Sequence, residues 1–92
     1  MKSEIAINAI RHILLLIEKY SQAHSQHINN CEFLSAKYVE LEQALINNTE
    51  DLAELIEWNK WFAPRIIYDG IGNKELLNKV EELALVLNKE TT

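Results

Sequence analysis

Both glycines and the only proline of this 92-residue chain fall between residues 64 and 72. Elsewhere no residue escapes the steric limits of a β-carbon and none has a locked φ. A sandwich or barrel needs a turn roughly every 8–12 residues, and such turns draw on glycine and proline. That distribution excludes those folds. It leaves a few long elements joined by short polar connections, with one unusual segment near residue 68.

Apolar residues decide what the long elements are. Ile5, Ala9, Ile10, Ile13, Leu16, Ile17 and Tyr20 recur at steps that place them on one helical stripe, with Arg11, Glu18 and Lys19 opposite. Ile7, Leu14 and Leu15 widen that stripe, so this helix is expected to touch two neighbours or a second subunit. Ser3 is placed to cap its start. Cys31, Leu34, Tyr38, Leu41 and Leu45 alternate steps of three and four, a short heptad-like seam suited to antiparallel packing on the first helix. Asn29 to Glu32 reads as the capping box of this second helix. Asn48 or Thr49 is expected to cap a third, whose apolar side is Leu52, Leu55, Ile56 and Phe62. Pro64 should stop or kink it near Phe62. A further turn over Pro64 to Tyr68 would end at Gly70 in the left-handed conformation. Asn73 caps a last helix with Leu76, Leu77, Val80, Leu83, Ala84 and Leu87 on one face, and Glu75 is expected to pair with Lys79. Glu90 to Thr92 should fray. The expected fold is all-α: one domain over residues 1–92, a small up-and-down bundle of four helices near 4–23, 30–47, 50–62 and 74–88.

Charge narrows the choice of partners. Acidic residues outnumber basic ones, 14 to 9, for a formal charge of −5. A net negative surface repels phosphate, so nucleic acid is not an expected ligand. A basic protein is. The longest apolar run, Ile13 to Ile17, is far too short to cross a bilayer. Glu4 and Asn8 interrupt the first apolar residues, unlike a secretory leader. The single cysteine, Cys31, suits a reducing compartment. A cytoplasmic protein without membrane attachment is expected.

Few residues suggest chemistry. His24, His27 and Cys31 have ligand types that suit zinc, but a fourth ligand is not apparent and the Asn29-Asn30 break would separate them. Cys31 lacks an oriented base and an oxyanion loop, so a packed thiol is the simpler role. His12 flanks the apolar stripe as a boundary residue. Asp69-Gly70-Ile71-Gly72-Asn73 precedes a helix, yet it has no preceding strand, no Lys-Ser/Thr, and an acid that would repel phosphate. The expectation is no enzyme, no metal and no cofactor.

Surface recognition is more promising. On a regular third helix Glu50, Glu54, Glu57 and Trp61 fall in one narrow arc facing away from Leu52, Leu55 and Ile56. Such a stripe is usually a solvated acidic face. Trp61 gives it an aromatic end, either an anchor among charged rim residues or a core residue folded under Pro64 to Tyr68; the burial habit of tryptophan favours the core. Trp58, Trp61, Phe62, Ile66 and Ile67 must in any case be covered by the chain's own helices or by another molecule.

The succession of leucine-rich helices, an aromatic residue and a Gly-x-Gly turn, here Tyr68-Asp69-Gly70-Ile71-Gly72-Asn73, resembles the small helical immunity-type proteins of bacteria. Those are short acidic bundles that bind and neutralise a toxin. The glycine that usually follows the aromatic is Asp69 here, and the Asn-Asp pair after the turn is missing, so the resemblance implies partner binding without supplying a site. The expected function is a cytoplasmic binding module of immunity or antitoxin type. It would block a basic protein through Glu50, Glu54, Glu57, Trp61, Tyr68 and Asp69. The alternative is a structural or regulatory module that self-associates, as a homodimer, through Leu14 and Leu15 on the first helix.

Overall fold

A computed structural model describes the backbone of residues 3–91 and the side chains of residues 4–88. Helix α1 (Ser3–Ala23) leads through a 3₁₀ turn (Ser25–His27) into α2 (Ile28–Asn47). A short turn precedes α3 (Leu52–Trp61), which runs on almost without interruption into α4 (Ala63–Ile66) and a π-helical turn (Ile67–Ile71). Helix α5 (Lys74–Thr91) completes the chain, and no strand occurs among the described residues. Taking α3, α4 and the π turn as one broken column, the described residues form four columns. Column one packs on two, two on three, three on four, and four on one. The bundle measures 37 × 19 × 19 Å. A helix of about 20 residues is about 30 Å long, so the molecule is one helix in length and two in width.

The first hairpin follows the pattern of its sequence. Ala6, Ile10, Ile13 and Ile17 of α1 are buried against Cys31, Leu34, Tyr38, Leu41 and Ala44 of α2. Fully burying one leucine or isoleucine contributes about 1.5–3 kcal/mol. Arg11 Nε donates to Glu42 Oε2 at 3.0 Å across the same hairpin, but the exposed guanidinium limits that pair to under about 1 kcal/mol. Apolar packing therefore holds the hairpin. Ile5 is the exception to the expected stripe: it stands exposed, and its neighbour Ala6 takes the core position.

The broken column follows another rule. Its buried positions are Leu55, Asn59, Ala63, Ile67 and Ile71, each four residues after the last. On a straight α-helix a four-residue step advances the stripe by about 40°, so a buried line over 16 residues would wind far around the helix. Two irregularities lie along that line. Pro64, within the first turn of α4, has no amide to continue the ladder. The π turn then closes Gly72 N–H onto Ile67 O at 2.6 Å. Phe62 keeps right-handed helical dihedrals and its amide bonds Trp58 O at 2.9 Å, so the helical path continues through it. The moving stripe also explains why Phe62 is exposed where a fixed helix face had placed it with Leu55.

Several ends differ from expectation. Helix α2 begins at Ile28 without a side-chain cap; the Ser25 carbonyl takes the Ile28 amide, and Asn29 has no capping role. Asn48 adopts φ 51° and closes α2 as its left-handed cap; it does not start α3. Glu50 and Asp51 lie in the turn ahead of α3, where the Thr49 hydroxyl donates to the Asp51 carboxylate. Gly72, not Gly70, takes the left-handed conformation, at φ 74°. At Gly70 a β-carbon would lie 2.7 Å from Asn30 Nδ2, the movable end of a side chain. Asn73 does cap α5, its Oδ1 accepting from Leu76 N–H at 2.9 Å. Lys79 pairs forward with Glu82 at 3.4 Å instead of back to Glu75. The cap expected of the Ser3 side chain lies outside the described residues. So does Thr92, although α5 itself runs through Glu90 to Thr91.

Candidate protein-binding surface

The unusual segment is fastened from within. Tyr20 of α1 donates its hydroxyl to Ile71 O at 2.8 Å, and Asn30 Nδ2 of α2 lies 3.4 Å from Gly70 O. These side chains meet carbonyls that the end of the π turn leaves without a helical partner. On the α2 side, Tyr38 donates to Asn59 Oδ1 at 2.6 Å inside the core, and Trp58 lies edge-on to Tyr38 with ring centroids 5.3 Å apart. Burial pushes the Tyr38 hydroxyl well above its ordinary value of 10.0. It therefore stays a protonated donor, and the column is held at both ends of its break.

That fastening turns three aromatics outward. Trp61 is 63% exposed, Phe62 60% and Tyr68 75%. Trp61 is nonetheless held in place. Its indole N–H donates to Glu57 Oε2 at 2.7 Å, and Lys60 Nζ lies 5.1 Å from its ring centroid. Fixing the ring before any partner arrives lowers the ordering cost of binding.

Two shallow grooves beside the segment share Arg65 and Asp69. The larger, of about 600 Å³, lies between the broken column and α5 and is lined by Lys60, Trp61, Pro64, Arg65, Tyr68, Asp69, Leu77 and Glu81. The smaller, of about 320 Å³, lies toward α2 and is lined by Asn30, Phe62, Arg65, Ile66, Asp69 and Gly70. Arg65 and Asp69 form the ridge common to both.

Of the residues expected to bind a partner, Glu54, Glu57 and Trp61 share the exposed outer face of α3, and Tyr68 and Asp69 continue it. Glu50 is exposed but belongs to the turn before the helix. The core position considered for Trp61 is not the one it takes. Of the five large apolar residues around the break, Trp58 and Ile66 are half covered and Ile67 is fully buried, leaving Trp61 and Phe62 outside. Sequence reasoning missed Phe62, Pro64 and Arg65 as surface residues, and Leu77 and Glu81 as the opposite wall. The signal for the wall was the antiparallel return of α5, which brings the start of that helix beside Tyr68. Asn59 was missed as well: its Nδ2 is buried without a partner, and a lone asparagine between apolar turns has no signature of its own.

The other constellations resolve into packing. His24 stacks on Tyr20 with centroids 4.3 Å apart, and His27 tilts against the same ring at 5.8 Å. Cys31 is buried in the seam between α1 and α2, and burial raises its thiol above the ordinary value, which disfavours the thiolate. Among the described residues, no three His, Cys, Asp or Glu side chains are grouped to hold a metal ion. No described helix is long and apolar enough to cross a membrane. No protein-family model matches the chain, and no curated protein or solved structure matches it either.

Proposed function

We propose that the chain is a small protein-binding module whose docking surface is the broken column, with Trp61 and Tyr68 as anchors and Glu54, Glu57 and Asp69 as the charged rim. The observation that carries this reading is the outward placement of Trp61 beside Tyr68, with the indole already fixed by Glu57 and Lys60. Tryptophan and tyrosine are the residues on which binding energy most often concentrates. The acidic excess of the chain and the run of carboxylates on α3 favour a basic partner, which the module would neutralise by occupying its surface, without catalysis and in the cytoplasm.

The test is affinity capture from the protein's own cells at low and high salt, with the wild type, Trp61→Ala and the double variant Glu54→Lys/Glu57→Lys. A basic protein held at low salt, released at high salt, and lost with both variants is the expected outcome. Capture that both variants leave unchanged would overturn this surface.

Self-association through α1 is the second reading; of Leu14 and Leu15, Leu15 is 65% exposed, beside Ile5 at 64%, whereas Leu14 is partly buried against the core. Sedimentation equilibrium separates the two: a dimer abolished by Leu15→Ser would favour it, and a monomer at all concentrations would remove it.

A further inference from the structure

Helix α2 carries a second seam that the bundle does not use. Ile28, Glu32, Ser35, Val39, Glu42 and Ile46 alternate steps of four and three, and fall within about 80° of the helix surface. The core seam of Cys31, Leu34, Tyr38 and Leu41 lies beside it and is buried, yet Ile28, Val39 and Ile46 stay 45%, 47% and 50% exposed. A helix whose only task was to cover α1 and α3 would carry polar residues at those three positions.

Beside one end of this seam, α1 and α2 flank an open hollow of about 470 Å³. Leu14, Ile17, Ile28 and Cys31 give it an apolar lining, and Glu18 and Glu32 are its only charged residues. Both glutamates are exposed. Further along the hairpin, Glu42 is already engaged by Arg11 at 3.0 Å. The hollow thus joins apolar surface to uncompensated negative charge. The groove beside Trp61 differs, since it has as many bases as acids, and it lies across the ring of columns from this one.

Period and charge together select the occupant. A seam repeating every three and a half residues is complementary to another helix of the same period, whose side chains enter between its own. Unpaired acids favour a basic ligand and steer its approach. A second copy is disfavoured, because seam against seam sets the acids of one chain against those of the other. From Ile28 to Ile46 the seam is about 27 Å long, the length of a helix of about 18 residues.

We infer that the α1–α2 face binds a basic amphipathic helix of a protein partner. Its apolar side chains pack on Ile28, Val39 and Ile46 and reach into the hollow over Leu14 and Cys31. Its lysines or arginines flank Glu18 and Glu32. The site is separate from the broken column, and neither reading depends on the other.

The experiment is an NMR titration of the full chain with a peptide of about 18 residues, with leucine at the heptad a and d positions and lysine at e and g. One control peptide carries two central prolines that forbid a helix. The other has glutamate for every lysine. The expected result is a saturable shift of the Ser35 and Val39 amides with the lysine peptide alone, with the Trp61 indole unmoved. Glu18→Lys/Glu32→Lys should weaken binding by about tenfold or more, and Val39→Ser by less. All three positions are exposed, so these variants should fold. Equal binding of either control peptide, shifts centred on Trp61, or no shift at millimolar peptide would each overturn the inference. So would a dimer of the free chain that Val39→Ser abolishes, since the face would then belong to a second copy.

Discussion

The two hairpins of this bundle bury similar numbers of side chains by different means. Helices α1 and α2 are uninterrupted, and mixed steps of three and four keep their core residues on one face. The column from Leu55 to Ile71 steps by four throughout, is interrupted at Phe62 and ends in the π turn. The uninterrupted hairpin shows what the fold needs. The broken column does the same work and also turns Trp61, Phe62 and Tyr68 away from the core. Among the described residues, the three most exposed aromatics thus lie along the interrupted column.

The comparison can be broken most forcefully in the core. Leu34→Ala in the first hairpin and Ile67→Ala in the broken column should each cost about 2–5 kcal/mol by urea unfolding. A much smaller loss for Ile67→Ala would mean that the broken column is only loosely attached. Next comes the polar link between the two hairpins. Tyr38→Phe strands Asn59 Oδ1 beside an already unpartnered Nδ2 and should cost about 1–3 kcal/mol. Adding Asn59→Leu should recover most of that loss, since it removes the buried amide altogether.

The same tyrosine gives a pH signature. Its folded pKa is raised, so its contribution is complete below the ordinary value of 10.0 and declines as pH rises beyond it, because the unfolded chain loses its proton first. Wild-type stability should fall above that pH more steeply than that of Tyr38→Phe. Parallel curves would show that Tyr38 is not sealed from solvent.

Smaller effects test the turn. Gly72→Ala forces a β-carbon into φ 74° and should cost about 1–2 kcal/mol, with Gly72→Asn milder. Gly70→Ala meets only the movable end of Asn30, so its thermal midpoint should fall less than that of Gly72→Ala. The smallest stability effect belongs to the exposed anchor. Trp61→Ala should change stability by no more than about 0.5 kcal/mol while abolishing partner capture. A large loss of stability would mean that Trp61 supports the fold instead of the surface.

Much of this was legible in the residues. The scarcity of glycine and proline, and the three-and-four spacing of α1, α2 and α5, specify helices because a helix presents those positions on one face whatever surrounds it. Asn73 announces its cap because the bond runs to an amide three residues away. The candidate surface was legible only in part. Glu54, Glu57 and Trp61 share a face by local geometry. Whether that face is covered depends on which way the column leans, and a helical wheel does not contain that angle. Phe62 was misplaced for this reason, since the buried stripe moves around the helix and a fixed wheel does not.

The sequence by itself determined the number of helices, their approximate limits and the point where one must break, because capping, proline geometry and apolar periodicity act over a single turn. The tertiary structure decided which glycine turns left-handed, which amide sits unpaired in the core, and which aromatics face outward. Those depend on Tyr20, Asn30 and Tyr38 reaching in from other helices, and contacts across 21 to 51 residues leave no periodic trace in the chain.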